Sequence, residues 1–317
     1  MRWFALRTGR AVLTLLLLIA FTFFTLASGG DPAMAKFGED IDPATLTNFR
    51  EKWGLDYPLW KQFLIYLDGV RQLDFGVSFR SGRPASELVA ARLPSTLALM
   101  LPTIPVAIGI GIPLGVYAAT KRGRWADWLT IIAAVIALAI PSFLLGLLLM
   151  VIFSIWLGWL PPSGIVDWRS WIMPVATIAI ATASVYARFT RSAMVEVMSH
   201  PMMETAQASG LSRRVMQRVH ALPNVMVPLI TITALEFGNI VTYAVVVENV
   251  FSWPGAGQLL IEGVANRDYA VVQAVILLTG TTMIIANLIA DVAYGYVDPR
   301  IRDARRLPGG LSKKPVK

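Results

Sequence analysis

The residues able to do chemistry are few, and their placement excludes most of it. There are two histidines, His200 and His220, both in one basic stretch, and no cysteine. A metal centre needs several nitrogen, oxygen or sulfur donors in one place, and a Ser-His site needs a base within reach of a nucleophile. Two loop histidines supply neither, so they are read as loop residues, with no catalytic residue, metal or cofactor assigned. The G-x-x-x-x-G-K-[ST] loop that cradles nucleotide phosphates, the H-E-x-x-H zinc pair and the G-x-S-x-G elbow are all missing from the sequence. Without cysteine there is no disulfide, and packing must hold the fold together.

Four polar residues, Glu236, Glu248, Asn287 and Asp291, stand within or near long apolar runs. A charge at mid-membrane costs about 2.5–3.5 kcal/mol even on lenient scales, so such groups face an interior or an interface. Glu248 and Asp291 lie near the ends of their runs, which suits a structural role. Glu236 lies near the middle of its run. It has two readings: a hydrogen bond to a neighbouring helix, or a place on a translocation path.

One polar stretch interrupts the apolar sequence, "ETAQASGLSRRVMQRVHALPNVMVPLI", from Glu204 to Ile230. Pro201 suits the first turn of a helix, Gly210 its left-handed C-terminal cap, and Ser212 the N-cap of a second helix that Pro223 limits. On that second helix Val215, Val219 and Leu222 share one face, and Arg213, Arg214, Gln217 and Arg218 lie largely elsewhere. An amphipathic element of this kind can lie on anionic lipid. That reading does not explain the fixed intervals between a Glu, a small residue, a glycine and a Leu-Pro pair. A DNA-reading helix-turn-helix is a poorer fit for a segment tethered between two spans.

The elements that must position these residues follow from composition. The chain has 317 residues, 56% of them hydrophobic and 15% charged, with a mean hydropathy of +0.60. That is the profile of a membrane protein rather than a soluble domain. A spanning helix needs about 20 mostly apolar residues, and runs near 11–28, 95–119, 128–157, 171–190, 225–248 and 272–296 predict six spans in an all-α polytopic fold. The net charge of +8 does not indicate nucleic acid, because it alternates between loops. Arg2, Arg7 and Arg10, then Lys121, Arg122 and Arg124, then Arg188, Arg191, Arg213, Arg214 and Arg218, then the C-terminal tail are basic; 158–170 and 250–270 carry only Arg169 and Arg267 among basic residues. Both termini are therefore expected in the cytoplasm, as an even number of spans also requires. A cleaved signal peptide at 1–28 is the alternative; the apolar run from Ala11 to Ala27 is longer than a typical signal core and favours retention.

Residues 29–94 form the sizeable outer block, in which "YPLWKQFLIYL" places Trp60, Phe63, Leu64 and Leu67 on one face of an amphipathic helix. It is either a helix on the membrane surface or a cap for a soluble partner. Pro102, Pro105, Pro113, Pro141 and Pro174 predict kinks inside spans, and the third run either tilts or bends at Pro141. Gly111 and Gly115 form a small-xxx-small pair that permits close helix approach. "FSWPGAG" is read as a turn opening a short helix through Asn266, a gate or a scaffold. There is no visible internal repeat, and the tail "LPGGLSKKPVK" is expected to be disordered. The organisation is thus 1–28, N-terminus and first helix; 29–94, periplasmic region; 95–297, transmembrane core with a cytoplasmic loop at 191–224; and 298–317, cytoplasmic tail.

The intervals in the polar stretch resemble the EAA loop of permease subunits of ATP-binding-cassette importers, in which E-A-A is followed at fixed distances by G and by I-x-L-P. Glu204, Ala206, Gly210, Leu222 and Pro223 fall in register; Thr205 replaces the second alanine and His220 the isoleucine. The "HALPN" form is similar to that of the dipeptide/oligopeptide/nickel branch. "GDPA", "WGLDYPL", "DFGVS", "RLPSTLAL", "IPSFLLGLLL", "LGWLPPSG", "VENVFSWPGAG", "RDYAVVQ" and "DPRIR" extend the resemblance, to the first-type (B-type) permease, over nearly the whole chain. The resemblance implies a type I importer permease fold with a periplasmic insertion between helices 1 and 2, in a bacterial inner membrane. It implies a heterodimer with a second permease, two cytoplasmic ATPase subunits that hydrolyse the ATP, and a periplasmic substrate-binding protein that residues 29–94 could receive. The solute would be a di- or oligopeptide, or alternatively nickel, an opine or a glycoside. The readings from other classes are a secondary transporter and an intramembrane enzyme. Membrane lipid is the remaining partner.

Overall fold

All six apolar runs form helix in the computed structural model, which describes residues 2–30 and 42–297. The side chains of Asn287 and Asp291, most of "GDPA", all of "DPRIR" and the basic tail lie outside the described residues. In chain order the helices are α1 Arg2–Ser28, α2 Pro43–Trp53, α3 Leu59–Arg71, α4 Ala85–Thr120, α5 Trp125–Ala139, α6 Ser142–Leu149, α7 Ile172–Met198, α8 Pro201–Ala208, α9 Leu222–Val250, α10 Ala256–Ala265 and α11 Tyr269–Val297. α6 continues as a π-helical turn through Trp156. Parts of α1, α4 and α7 are long and apolar enough to cross a bilayer singly, and α5 with α6 makes a fourth, broken span. α9 and α11 are 29 residues each; at 1.5 Å per residue both exceed the ~30 Å hydrocarbon core, the length that six spans would require.

The prolines do not all break their helices. α4 runs 36 residues as one helix although Pro94, Pro102, Pro105 and Pro113 lie inside it. Packing along α7 holds it. A Cβ on Gly111 would meet Ala183 O at 2.5 Å and Tyr186 Cβ at 2.6 Å, and one on Gly115 would meet Ala187 O at 2.5 Å and Thr190 Cβ at 2.6 Å, so only glycine allows this approach. Pro174 falls in the first turn of α7, where its missing N–H has no intrahelical acceptor to lose. The break comes at Pro141. Ile140 before it is extended (φ −77, ψ 122), as the residue preceding a proline prefers, and the two halves of the span meet at 103°.

The core runs the length of α4, α7 and α9. At the end carrying the basic loops it contains Ala107, Tyr186, Met194, Met203, Met216, Val225 and Leu229. At the far end it contains Leu99, Met173, Ile178, Val247, Phe251 and Trp253, next to a third cluster of α4, α10 and α11. Trp125 and Trp128 are exposed at the basic end, and Trp156, Trp159 and Trp168 at the far end. Two such belts suit the two membrane–water interfaces.

Between α1 and α4, α2 is capped at both ends, by the Asp42 side chain accepting from Thr45 N at 3.3 Å and by Gly54 in the left-handed region. α3 is amphipathic but turned from the expected face. Phe63, Tyr66, Leu67 and Val70 are the half-buried stripe, with Phe63 and Tyr66 against Phe23 of α1, and Trp60 and Leu64 are exposed. Nearly every position from Leu59 to Leu67 is apolar, so the sequence admitted two stripes. The motifs "DFGVS" and "RDYAVVQ" meet here: buried Asp268 accepts from Ser78 Oγ and from the Phe79 and Arg80 amides, tying the loop before α4 to the start of α11.

Candidate coupling site and buried polar groups

The polar stretch folds as two helices meeting at a glycine. Pro201 opens α8. Ser209 caps it, Gly210 follows at φ +80, and the Gly210 and Leu211 amides bond to Gln207 O (3.0 Å) and Ala206 O (3.2 Å). That pair of bonds is a Schellman motif, which needs a residue in the left-handed region at this position. The Ser212 hydroxyl accepts weakly from Val215 N at 3.5 Å, opening the second segment as expected.

The second segment departs from the sequence reading in two linked ways. A short α-turn, Arg213–Val215, passes into a π-helical turn, Met216–Ala221, and this runs without a break into α9. Pro223 therefore ends nothing; it sits exposed at the second residue of α9, directly after the π-turn. The π-turn widens the period, so Met216 and Ala221 come onto one face with Val225 and Leu229 and are buried, and Val215 and Val219 are exposed.

Of the five residues expected to form the loop site, Glu204 is exposed in the first turn of α8 and Ala206 packs partly against the core. Gly210 makes the turn, and Leu222, half-buried, and Pro223 open α9. The sequence reading missed the side chains that hold this assembly in place. Met203 (2% exposed) and Met216 (2% exposed) are buried in one cluster with Met194 of α7 and Val225 of α9, and the apolar side chains Met202, Leu211, Val215 and Val219 stay in the open. Their signal was methionine in each short segment, the adjacent pair Met202 and Met203 in α8 and Met216 after it, and burial alone tells which of the pair lies inside.

A second site lies at the far end, where Glu248 of α9 is wholly buried. Its Oε2 accepts from the Gly257 amide (2.7 Å) and the Gln258 amide (3.1 Å), and its Oε1 from the Thr96 hydroxyl (2.7 Å), which in turn accepts from the Ala256 amide at 2.8 Å. The carboxylate thus closes the N-terminus of α10, where three free amides and the helix dipole favour negative charge. Gly255 and Gly257 leave it room: Cβ atoms there would lie 2.2 Å from Glu248 Cδ and 2.5 Å from Val245 Cα. The Trp253 indole donates to Ser95 O at 2.9 Å, so "RLPSTLAL" and "VENVFSWPGAG" fold as one unit.

Glu236 is buried in the middle of α9, at 6% exposure. Asn239, on the same helix, donates to its Oε1 at 3.1 Å, and its Oε2 has no partner. On the facing helix α7 the Thr182 and Thr190 hydroxyls are also buried without partners. The expected hydrogen bond to a neighbouring helix is thus replaced by one within α9.

Two family models match. Residues 111–303 match the binding-protein-dependent transport system inner membrane component, and residues 1–100 match the N-terminal part of such membrane components. The glutathione transport system permease protein GsiC of Salmonella paratyphi A is 43% identical over 290 residues, 91% of this chain and 95% of its own length. GsiC of Escherichia coli K12 is 42% identical over 273 residues, 86% of this chain and 89% of its own. Among solved structures, inward-facing forms of the MetNI methionine ABC transporter match with TM-scores of 0.54 and 0.56 at 18% identity, over 67% of this chain and 96% of theirs. At that identity the likeness is one of fold.

Proposed function

Because the chain belongs to the binding-protein-dependent transport system inner membrane components, the permease subunits of ATP-binding-cassette importers, we propose that it forms, with a second permease, the uptake pathway for a small peptide. The driving ATP is hydrolysed on two cytoplasmic partner subunits, and a periplasmic binding protein delivers the solute. The observation that carries the coupling role is α8: a short exposed helix pinned to the membrane core by Met203 and set at its angle by Gly210. A helix that offers its outer face to solvent, beside exposed Met202, Leu211, Val215 and Val219, is suited to lie in a cleft of another protein. Glu204, Ala206, Gly210, Leu222 and Pro223 are the residues assigned to it.

A peptide solute is supported by the GsiC relatives, named for transport of glutathione, a γ-linked tripeptide. The test is uptake into proteoliposomes holding the whole importer and its binding protein. ATP-dependent accumulation of labelled glutathione or a dipeptide supports the reading, and accumulation of nickel or a glycoside with no peptide uptake overturns it.

The orientation proposed has both termini, residues 120–124 and residues 199–222 in the cytoplasm, with residues 29–94 outside. The natural chain lacks cysteine, so single cysteines report directly. Ser81→Cys and Ser163→Cys, both exposed, should react with an impermeant maleimide in intact cells, and exposed Ser209→Cys only after lysis. Reaction of Ser209→Cys in intact cells would reverse the topology.

Glu236 is proposed to serve the translocation path, which its unpartnered oxygen and mid-span position support. Glu236→Gln should then reduce uptake of cationic peptides about tenfold relative to neutral ones, about 1.4 kcal/mol, in a complex that still assembles. Equal loss for both solute classes assigns it to packing instead.

A further inference from the structure

The basic end of the bundle holds an ion pair that none of the site residues above uses. The Arg191 guanidinium of α7 binds the Asp127 carboxylate of α5 through two parallel bonds, Nε to Oδ1 at 2.9 Å and Nη2 to Oδ2 at 2.8 Å. Asp127 is 2% exposed, and its Oδ2 also accepts from the Gly123 amide at 3.0 Å, in the turn joining α4 to α5. One carboxylate thus ties together the end of α4, the start of α5 and the last turns of α7. Next to it the α4–α7 contact is locked as well, since a Cβ on Gly115 would stand 3.1 Å from Arg191 N.

We propose that Asp127 and Arg191 are positioning residues of the transport cycle: they make the basic ends of α4, α5 and α7 move as one body when α8 is displaced. This rests on the reading that α8 receives the motion of the ATPase. α7 ends at Met198 and α8 begins at Pro201, so a displacement of α8, pinned through Met203, pulls first on α7. Apolar contacts between α5 and α7 are individually non-directional. A bidentate guanidinium–carboxylate pair is directional and either made or broken. Asp127 is buried and Arg191 a quarter exposed, so desolvation of the carboxylate and solvent at the guanidinium both cut the pair's net stabilisation, which favours a geometric role here. The part so driven is the broken span, whose α5 half meets α6 at 103°.

The test uses the complete importer in proteoliposomes and reads ATP hydrolysed per solute taken up. Asp127→Asn keeps the shape and removes the charge. The complex should be recovered at the wild-type level while uptake falls about tenfold, so that ATP spent per solute rises by the same factor; Arg191→Lys, which keeps the charge but not the fork, should fall between. Spin labels at Trp125→Cys and Ser199→Cys, both exposed, in a complex with no other cysteine, should keep one separation with and without nucleotide. With Asp127→Asn added, that separation should become nucleotide-dependent. An unchanged ATP-to-solute ratio in Asp127→Asn overturns the proposal, as does uptake lost only in proportion to complex lost. Failure of α8 to crosslink to an ATPase is a different result and sinks the coupling reading itself.

Discussion

Gly210→Val should leave the chain inserted and paired with its partner permease but reduce solute uptake at least tenfold and weaken retention of the ATPase subunits on purification. The expectation follows from where strain can go. Gly210 has φ +80, and a Cβ there meets nothing within 4 Å, so the substitution creates no clash. Its cost is conformational: an L-residue in the left-handed region loses about 1–2 kcal/mol, and a β-branched one is the worst tolerated. That is too little to unfold a six-span bundle but enough to open a two-bond cap, after which α8 swings about Met203. The series Gly210→Asn, Gly210→Ala, Gly210→Val should lose activity in that order, because asparagine visits this region most readily. A cysteine at exposed Ala208 should crosslink to one in the ATPase cleft with a yield that depends on nucleotide. Normal uptake by Gly210→Val, or no crosslink from any position between Glu204 and Leu211, would overturn the role given to this loop.

The caps of that loop were legible because they are local. Pro201, Gly210 and Ser212 each satisfy a backbone requirement within four residues, and all three stand where their types predicted. The face of the second helix was not legible, because an α-helical period was assumed where the chain makes a π-turn. Met216 and Ala221, five apart, are buried, and Val215 and Val219, four apart, are exposed. The same limit applies to α3, where composition offered two apolar stripes and only contact with Phe23 selects one. Pro141 was readable as a possible break, yet nothing local distinguishes it from Pro102 or Pro113. The difference is tertiary: α4 lies along α7 over Gly111 and Gly115, and the chain at Ile140 turns away. Asp127 and Arg191, far apart in sequence, gave no local signal at all.

Glu248→Ala should be the most damaging single change at the far end. The wild-type carboxylate accepts three bonds in a site with no water access and, through Thr96, serves the Ala256 amide as a fourth group. Removing it leaves buried donors unpaired at about 1–3 kcal/mol each, not fully additive, and opens a cavity against Gly255 and Gly257. A loss of more than about 3 kcal/mol is expected, which should appear as a complex that melts earlier in detergent or does not assemble. Glu248→Gln should be milder, since its amide oxygen still accepts on one side and its NH2 group confronts donors on the other. Thr96→Val should likewise cost less than Glu248→Ala: it leaves the Ala256 amide and Glu248 Oε1 without their partner, but the carboxylate keeps the Gly257 and Gln258 amides. Gly257→Ala should resemble Glu248→Ala by a different route: its Cβ would press on Val245 Cα at 2.5 Å, which is backbone and cannot rotate away. If this unit is a scaffold, uptake per assembled complex stays near wild type in Glu248→Gln and Thr96→Val, and stability alone falls. If it moves as a gate, those mild variants lose uptake while their melting temperature is unchanged. A Glu248→Ala complex that assembles and melts like the wild type would refute the capping account altogether.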